Sequence, residues 1–234
     1  MKIEVFAEPD RAAGEAARIV AAEARKAAAE RGQFTAAFSG GHTPWVMLRA
    51  LADEDVPWDK VRIAQVDERA VPAGDRDRNL THLRESLLDH APLRPEHIYA
   101  MPVEENNLTA AAGHYDHMLQ RLAGSPPVLD LVHLGLGPDG HTASLVPGDP
   151  VLEITSADVA VTGPYQGHPR MTLTYPILNR SRRILWLVTG GEKAGMLVRL
   201  INGDPSIPAG RVRQDGAFIV ADRAAAAEQL GPVA

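Results

Sequence analysis

The sequence predicts an α/β protein with an open, mostly parallel sheet, helices on both faces and room for a small additional lobe. Three observations predict it. Short apolar runs alternate with helical segments of about ten residues, the order of βαβ units. The best of these runs, Leu131-Val132-His133-Leu134, is too short for a helix and does not alternate, as befits a strand covered on both faces. Runs ending at Phe38, Leu134 and Thr189 pass directly into glycine-bearing turns, and ligands bind at that edge of an open α/β sheet.

The elements follow in order. Ile3–Phe6 reads as a short edge strand. Asp10 suits the N-cap of an Ala-rich helix reaching Arg31, with Gly32 as its stop. Thr35–Phe38 is the next strand, and Thr43 as N-cap with Pro44 at the first helical position opens a helix over Trp45–Leu51. Val61–Val66 is a further strand; a polar loop, Pro72–Arg78, leads to a helix over Leu80–Leu88. Ile98-Tyr99 is a weak strand, and Thr109–Leu122 an amphipathic helix closed by Gly124. After Leu131–Leu134 come short strands at Asp158–Thr162 and Met171–Thr174, then a stronger one at Ile184–Thr189. Gly190-Gly191-Glu192-Lys193 heads a helix through Ile201, and Ala217–Val220 is a last strand before a short Ala-rich helix. With no internal repeat and no linker, residues 1–234 read as a single domain.

Bulk properties narrow the partners. A net charge of −6 argues against nucleic acid and anionic membrane surfaces, both of which need basic faces. A small anion still fits if a few cations converge. The absence of cysteine excludes a disulfide framework and a thiolate metal site. The N-terminal stretch MKIEVFAEPD lacks an apolar targeting core, so a cytoplasmic protein is expected, as a monomer or small homo-oligomer.

Chemistry concentrates at the strand ends. In Ser39-Gly40-Gly41-His42-Thr43-Pro44, exposed N–H groups and a helix start make an anion site suited to phosphate, to which the Ser39 and Thr43 hydroxyls can add. The same residues also suit a plain tight turn. Neither Walker A spacing nor the GxGxxG fingerprint is present. Asp67-Glu68-Arg69 follows an apolar strand: Arg69 offers a planar donor fork to a carbonyl or phosphate oxygen, and Asp67 an acceptor for hydroxyls or an orienting group. The bland alternative is a solvated loop. Asp139 and His141 sit in a loop loosened by Gly135, Gly137 and Gly140; a histidine beside a carboxylate suits acid/base work, although Pro138-Asp139-Gly140 is also a good turn sequence. Arg170 precedes a strand. Lys193, one of only four lysines, lies in the first turn of its helix, an unfavourable place for a cation unless an anion binds there. His114 and His117 share a helix face without a third ligand and read as surface residues.

Together SGGHTP (39–44), VDERAVP (66–72), GLGPDGHTASLVPG (135–148), PRMTLT (169–174) and GGEKA (190–194) resemble the 6-phosphogluconolactonase family, in its order and over most of the chain. The resemblance implies a Rossmann-like fold and hydrolysis of 6-phospho-D-glucono-1,5-lactone to 6-phosphogluconate without metal or other cofactor. It implies His141 as general base, Asp139 as its partner, Arg69 held by Asp67 at the carbonyl, and Ser39, Gly40, Gly41, Thr43, Arg170 and Lys193 at the phosphate. Arg78, Ala70 and Val146 depart from the pattern. Glucosamine-6-phosphate deaminases share the superfamily but carry a glutamate where this chain has Val146, which favours the lactonase reading over an isomerase/deaminase. A non-catalytic sugar-phosphate sensor is the other alternative, and no DNA-binding extension supports it.

Overall fold

A computed structural model of the chain describes residues 1–230. The principal sheet is assembled from β1 (Lys2–Phe6), β2 (Phe34–Phe38), β3 (Val61–Gln65), β5 (Ile98–Tyr99), β6 (Leu131–Leu134), β9 (Arg183–Val188) and β10 (Ala217–Asp222). All its pairings are parallel, in the order β1-β10-β9-β6-β2-β3-β5. Residues of β9 show why its strands are apolar throughout. Ile184, Trp186 and Val188 enter one core while Leu185 and Leu187 enter the other. Successive side chains point to opposite faces, and here both faces are covered.

On one face lie α1 (Pro9–Arg31) and α2 (His42–Ala52); on the other, α4 (Leu108–Ala123), α5 (Tyr175–Arg180) and α6 (Ala194–Ile201). The stripe Ala13, Ala17, Ala21 and Ala24 is fully buried, and its small side chains let α1 lie close to the sheet. The expected anchor of this helix is displaced slightly: Glu8, not Asp10, occupies the N-cap position, because Pro9 already fits the first turn. Its expected stop is observed, with Gly32 at φ 77°. A short helix α3 (Asn79–Leu83) continues as one π turn over Arg84–Leu88. The terminal helix, α7, spans Ala227–Leu230.

The additional lobe is a three-stranded antiparallel sheet of β4 (Asp67–Arg69), β8 (His168–Leu173) and β7 (Val159–Tyr165), in the order β4-β8-β7. Asp67-Glu68-Arg69, which alone resembles a solvated loop, is therefore a strand. It pairs with β8, far along the chain, a pairing that no local pattern shows. Tyr175–Arg180 is a helix the local pattern does not reveal, six residues long with Pro176 in its first turn. Among the described residues no helix is long and apolar enough to cross a membrane.

Candidate active site

Topology fixes where a ligand fits. From β2 the chain steps outward to β3 and β5; from β6 it steps the other way to β9 and β10, beyond which the N-terminal β1 forms the edge. A cleft of about 300 Å³ opens beyond the carboxyl ends of β2, β6 and β9, at this reversal of strand order. Ser39, Gly40, Gly41, Thr43, Asp67, Arg69, His141, Arg170 and Lys193 all line it. Of the expected residues only Asp139 stands behind the wall.

The Gly-Gly turn is built differently at its cap. Gly41, at φ 127°, takes the N-cap position of α2, so Thr43 lies within the first turn rather than capping it. Thr43 is freed for another partner: its Oγ1 lies 2.7 Å from Thr189 Oγ1 at the end of β9. Ser39 donates to the His133 carbonyl at 3.0 Å, which commits its proton to tying the loop to β6. The backbone N–H groups, rather than Ser39, are the donors this turn offers an anion.

His141 and Asp139 form a closed unit. His141 Nδ1 lies 2.5 Å from Asp139 Oδ1, and the His141 backbone N–H donates to the same oxygen at 3.1 Å. An ionised carboxylate only accepts, so Nδ1 carries the ring proton and Nε2 is left as the basic nitrogen. Burial pushes the Asp139 carboxyl up, but the His141 N–H, ring hydrogen bond and charge outweigh it and hold it below the usual carboxylate range. By the sign of that shift, the stabilisation is present above the ordinary aspartate range and is lost as pH falls through the depressed value. His133, fully buried on the preceding strand, is the contrast. Burial alone pushes it down to about 3, so it is a neutral core residue.

Gly137 makes this unit sterically feasible. A Cβ there would stand 2.0 Å from His141 Nδ1 and 2.8 Å from Asp139 Oδ1. Its φ is not in the left-handed region, so alanine would be accepted by the backbone but not by the dyad. Gly137→Ala is expected to lower kcat roughly a hundredfold, the cost of misplacing a reacting group by about 1 Å, with the thermal midpoint nearly unchanged. Loss of kcat in step with loss of fold would remove this reading.

Two arginines meet where sequence spacing gave no hint. Arg69 and Arg170 are direct cross-strand partners in the β4–β8 register. Like charges directly opposite are unfavourable, and both Nε groups are buried without a partner among the described residues. Burial pulls Arg170 below the ordinary arginine range, Asp67 works against this, and Arg69 adds to it. An anion between them relieves both problems. The expected hold of Asp67 on Arg69 is not what the structure shows: Arg69 Nη1 donates to Asp77 O at 2.7 Å and to Asn79 Oδ1 at 3.0 Å. Asp67 instead accepts from Ser144 Oγ at 2.6 Å, which ties the small sheet to the His141 loop. The reason is geometric: consecutive odd residues of a strand share a face but project side by side, and Asn79 arrives from α3 to fill the gap. Among the described residues Lys193 has one carboxylate within 4 Å, the exposed Glu192 at 3.8 Å, and it lines the cleft beside Thr189.

Beneath this surface Glu68 is fully buried and accepts four hydrogen bonds, from Gln65 Nε2 and the backbone N–H groups of Arg69, Asn79 and Leu80. Burial pushes its carboxyl up, and those donors offset part of the shift. Arg78, a departure from the family pattern, is buried and pairs with Glu104 at 3.1 Å, outside the cleft. Val146 is buried and apolar.

The family model described as glucosamine-6-phosphate isomerases/6-phosphogluconolactonase matches residues 7–220. A 6-phosphogluconolactonase from Synechocystis sp. is 38% identical over 88% of this chain and 89% of its own length. That of Mycobacterium tuberculosis is 37% identical over 97% of both chains. Among solved structures, the 6-phosphogluconolactonase of Trypanosoma cruzi superposes with a TM-score of 0.87 at 26% identity, covering 99% of this chain and 97% of the other. A monomeric glucosamine-6-phosphate deaminase, 20% identical with a TM-score of 0.82, shares the fold. Motifs, fold and cleft agree with these likenesses, and the chain belongs to the glucosamine-6-phosphate isomerase/6-phosphogluconolactonase family.

Proposed function

We propose that the protein hydrolyses 6-phospho-D-glucono-1,5-lactone to 6-phosphogluconate, the lactone-opening step of the pentose phosphate pathway. The observation that carries this reading is one cleft holding both a carboxylate-oriented imidazole and a convergence of anion donors. His141 Nε2 takes a proton from water as the oxygen attacks C1. The imidazolium then returns a proton to the ring oxygen as the C–O bond breaks. Asp139 holds the productive tautomer and stabilises the imidazolium that forms. Arg69, steadied by Asn79, faces the oxygen that gathers charge at C1.

The 6-phosphate sits on the Gly40–Gly41 turn with Arg170 and Lys193 around it. Anchoring the remote phosphate orients the lactone carbon at His141. The buried Val146 offers no proton-transfer group, which supports hydrolysis over deamination. Proton release from the phosphorylated lactone above its spontaneous rate tests the reading, with ammonia release from glucosamine 6-phosphate as the control. Ammonia without proton release would transfer the chain to the other branch.

Lys193→Ala should raise KM for the phosphorylated lactone about tenfold or more, the worth of a charge-assisted contact, and change kcat much less. An unchanged KM puts the phosphate elsewhere.

A further inference from the structure

Tyr165 belongs to none of the motifs, yet it touches both working ends of the cleft. Its hydroxyl donates to Asp139 Oδ2 at 3.2 Å, the oxygen opposite the one His141 uses. The edge of its ring meets the His141 imidazole, with centroids 5.4 Å apart and planes at 63°. On the same ring the Arg170 guanidinium sits 4.8 Å from the centroid, a cation–π distance. Arg170 Nη2 also donates to the Tyr165 carbonyl at 3.3 Å and to Gln166 Oε1 at 3.1 Å.

The backbone gives this side chain a fixed place. Tyr165 pairs with His168 across a two-residue turn, Gln166-Gly167, both at positive φ (52° and 89°) as a type I′ hairpin demands. A register irregularity between Thr162 and Tyr165 re-aims the strand just before the turn. Gly163 N–H donates to Asp149 Oδ2 at 2.9 Å, fastening the hairpin to the segment that follows the His141 loop.

We propose that Tyr165 is a positioning residue: its hydroxyl fixes the Asp139 carboxylate, and its ring spaces His141 from Arg170. The inference rests on the reading of Asp139 and His141 given above. Structural packing alone needs the ring but not the hydroxyl, and a substrate contact needs the hydroxyl free of Asp139. A double-mutant cycle separates the three. Tyr165→Phe, Asp139→Asn and the double variant are assayed for kcat and KM with 6-phosphogluconolactone, alongside thermal melts.

Tyr165→Phe is expected to lower kcat roughly three- to thirtyfold, the range of coupling between hydrogen-bonded neighbours, with KM and the thermal midpoint unchanged. In the Asp139→Asn background the same substitution should change kcat by less than about twofold, because the group it acts through is gone. An equal fold-loss in both backgrounds, a change confined to KM, or a kcat equal to wild type would each overturn the proposal. The Asp139→Asn arm reports separately on the reading beneath it. Wild-type kcat there dismisses the dyad, and the proposal with it; a lowered kcat with an unaffected Tyr165→Phe dismisses the proposal alone.

Discussion

Replacing His141 with alanine is expected to reduce kcat by about 10³-fold, within the 10²–10⁴ that one positioned base contributes. Product affinity should be nearly unchanged. Lactones hydrolyse spontaneously, so the measurement is proton release at several enzyme concentrations with the uncatalysed slope subtracted. Binding of 6-phosphogluconate, measured by calorimetry, supplies the second readout. The separation follows from the proposed division of the cleft, in which Lys193, Arg170 and the Gly-Gly turn, all lining it, take the anion and His141 takes the proton. The side chain is partly exposed and at the end of a loop, so its truncation leaves both apolar cores untouched. Turnover near wild type would dismiss His141 as the base. Loss of product binding in parallel with kcat would instead mean that the imidazole is part of the grip.

The sequence made the strand ends legible because glycine, proline and apolar runs have local meanings. Gly41, Gly137 and Gly190 punctuate β2, β6 and β9, and the parallel topology then brings these ends together. Asp139 and His141 were legible for the same reason, being two residues apart within one loop. What local pattern could not give was pairing between distant segments. Arg69 opposite Arg170, Thr43 against Thr189 and Ser144 on Asp67 join residues 77 to 146 positions apart. Tyr165 escaped for a different reason. A tyrosine beside Gln166-Gly167 reads as a hairpin tip, and only the register shift in β7 aims it at Asp139. Glu68 was hidden inside a charged triplet, and a run of three charges gives no sign that its middle member points into the protein.

That middle carboxylate underlies the second large effect, this time on stability. All four groups bonded to Glu68 are donors: one side-chain amide and three backbone N–H groups. Glutamine is nearly isosteric but offers one acceptor oxygen, and its own NH₂ would face N–H groups that already need an acceptor. Glu68→Gln is therefore expected to cost about 3–5 kcal/mol, as breaking a buried charged network does. For a chain of this length each kcal/mol moves the thermal midpoint by roughly 2–4 °C, so a fall of roughly 10 °C is expected. Glu68→Ala should be at least as severe, since it leaves four donors, all buried or partly buried, without an acceptor. Activity should fall too, through a definite route. Glu68 clamps the backbone of Arg69 to that of Asn79, and the Asn79 side chain in turn holds the Arg69 guanidinium at 3.0 Å. Measured well below its melting range, Glu68→Gln should show a depressed kcat, because Arg69 has lost the frame that aims it. A variant that melts like wild type would show that water can replace the carboxylate. One that melts early yet turns over normally when folded would confine Glu68 to stability and detach Arg69 from it.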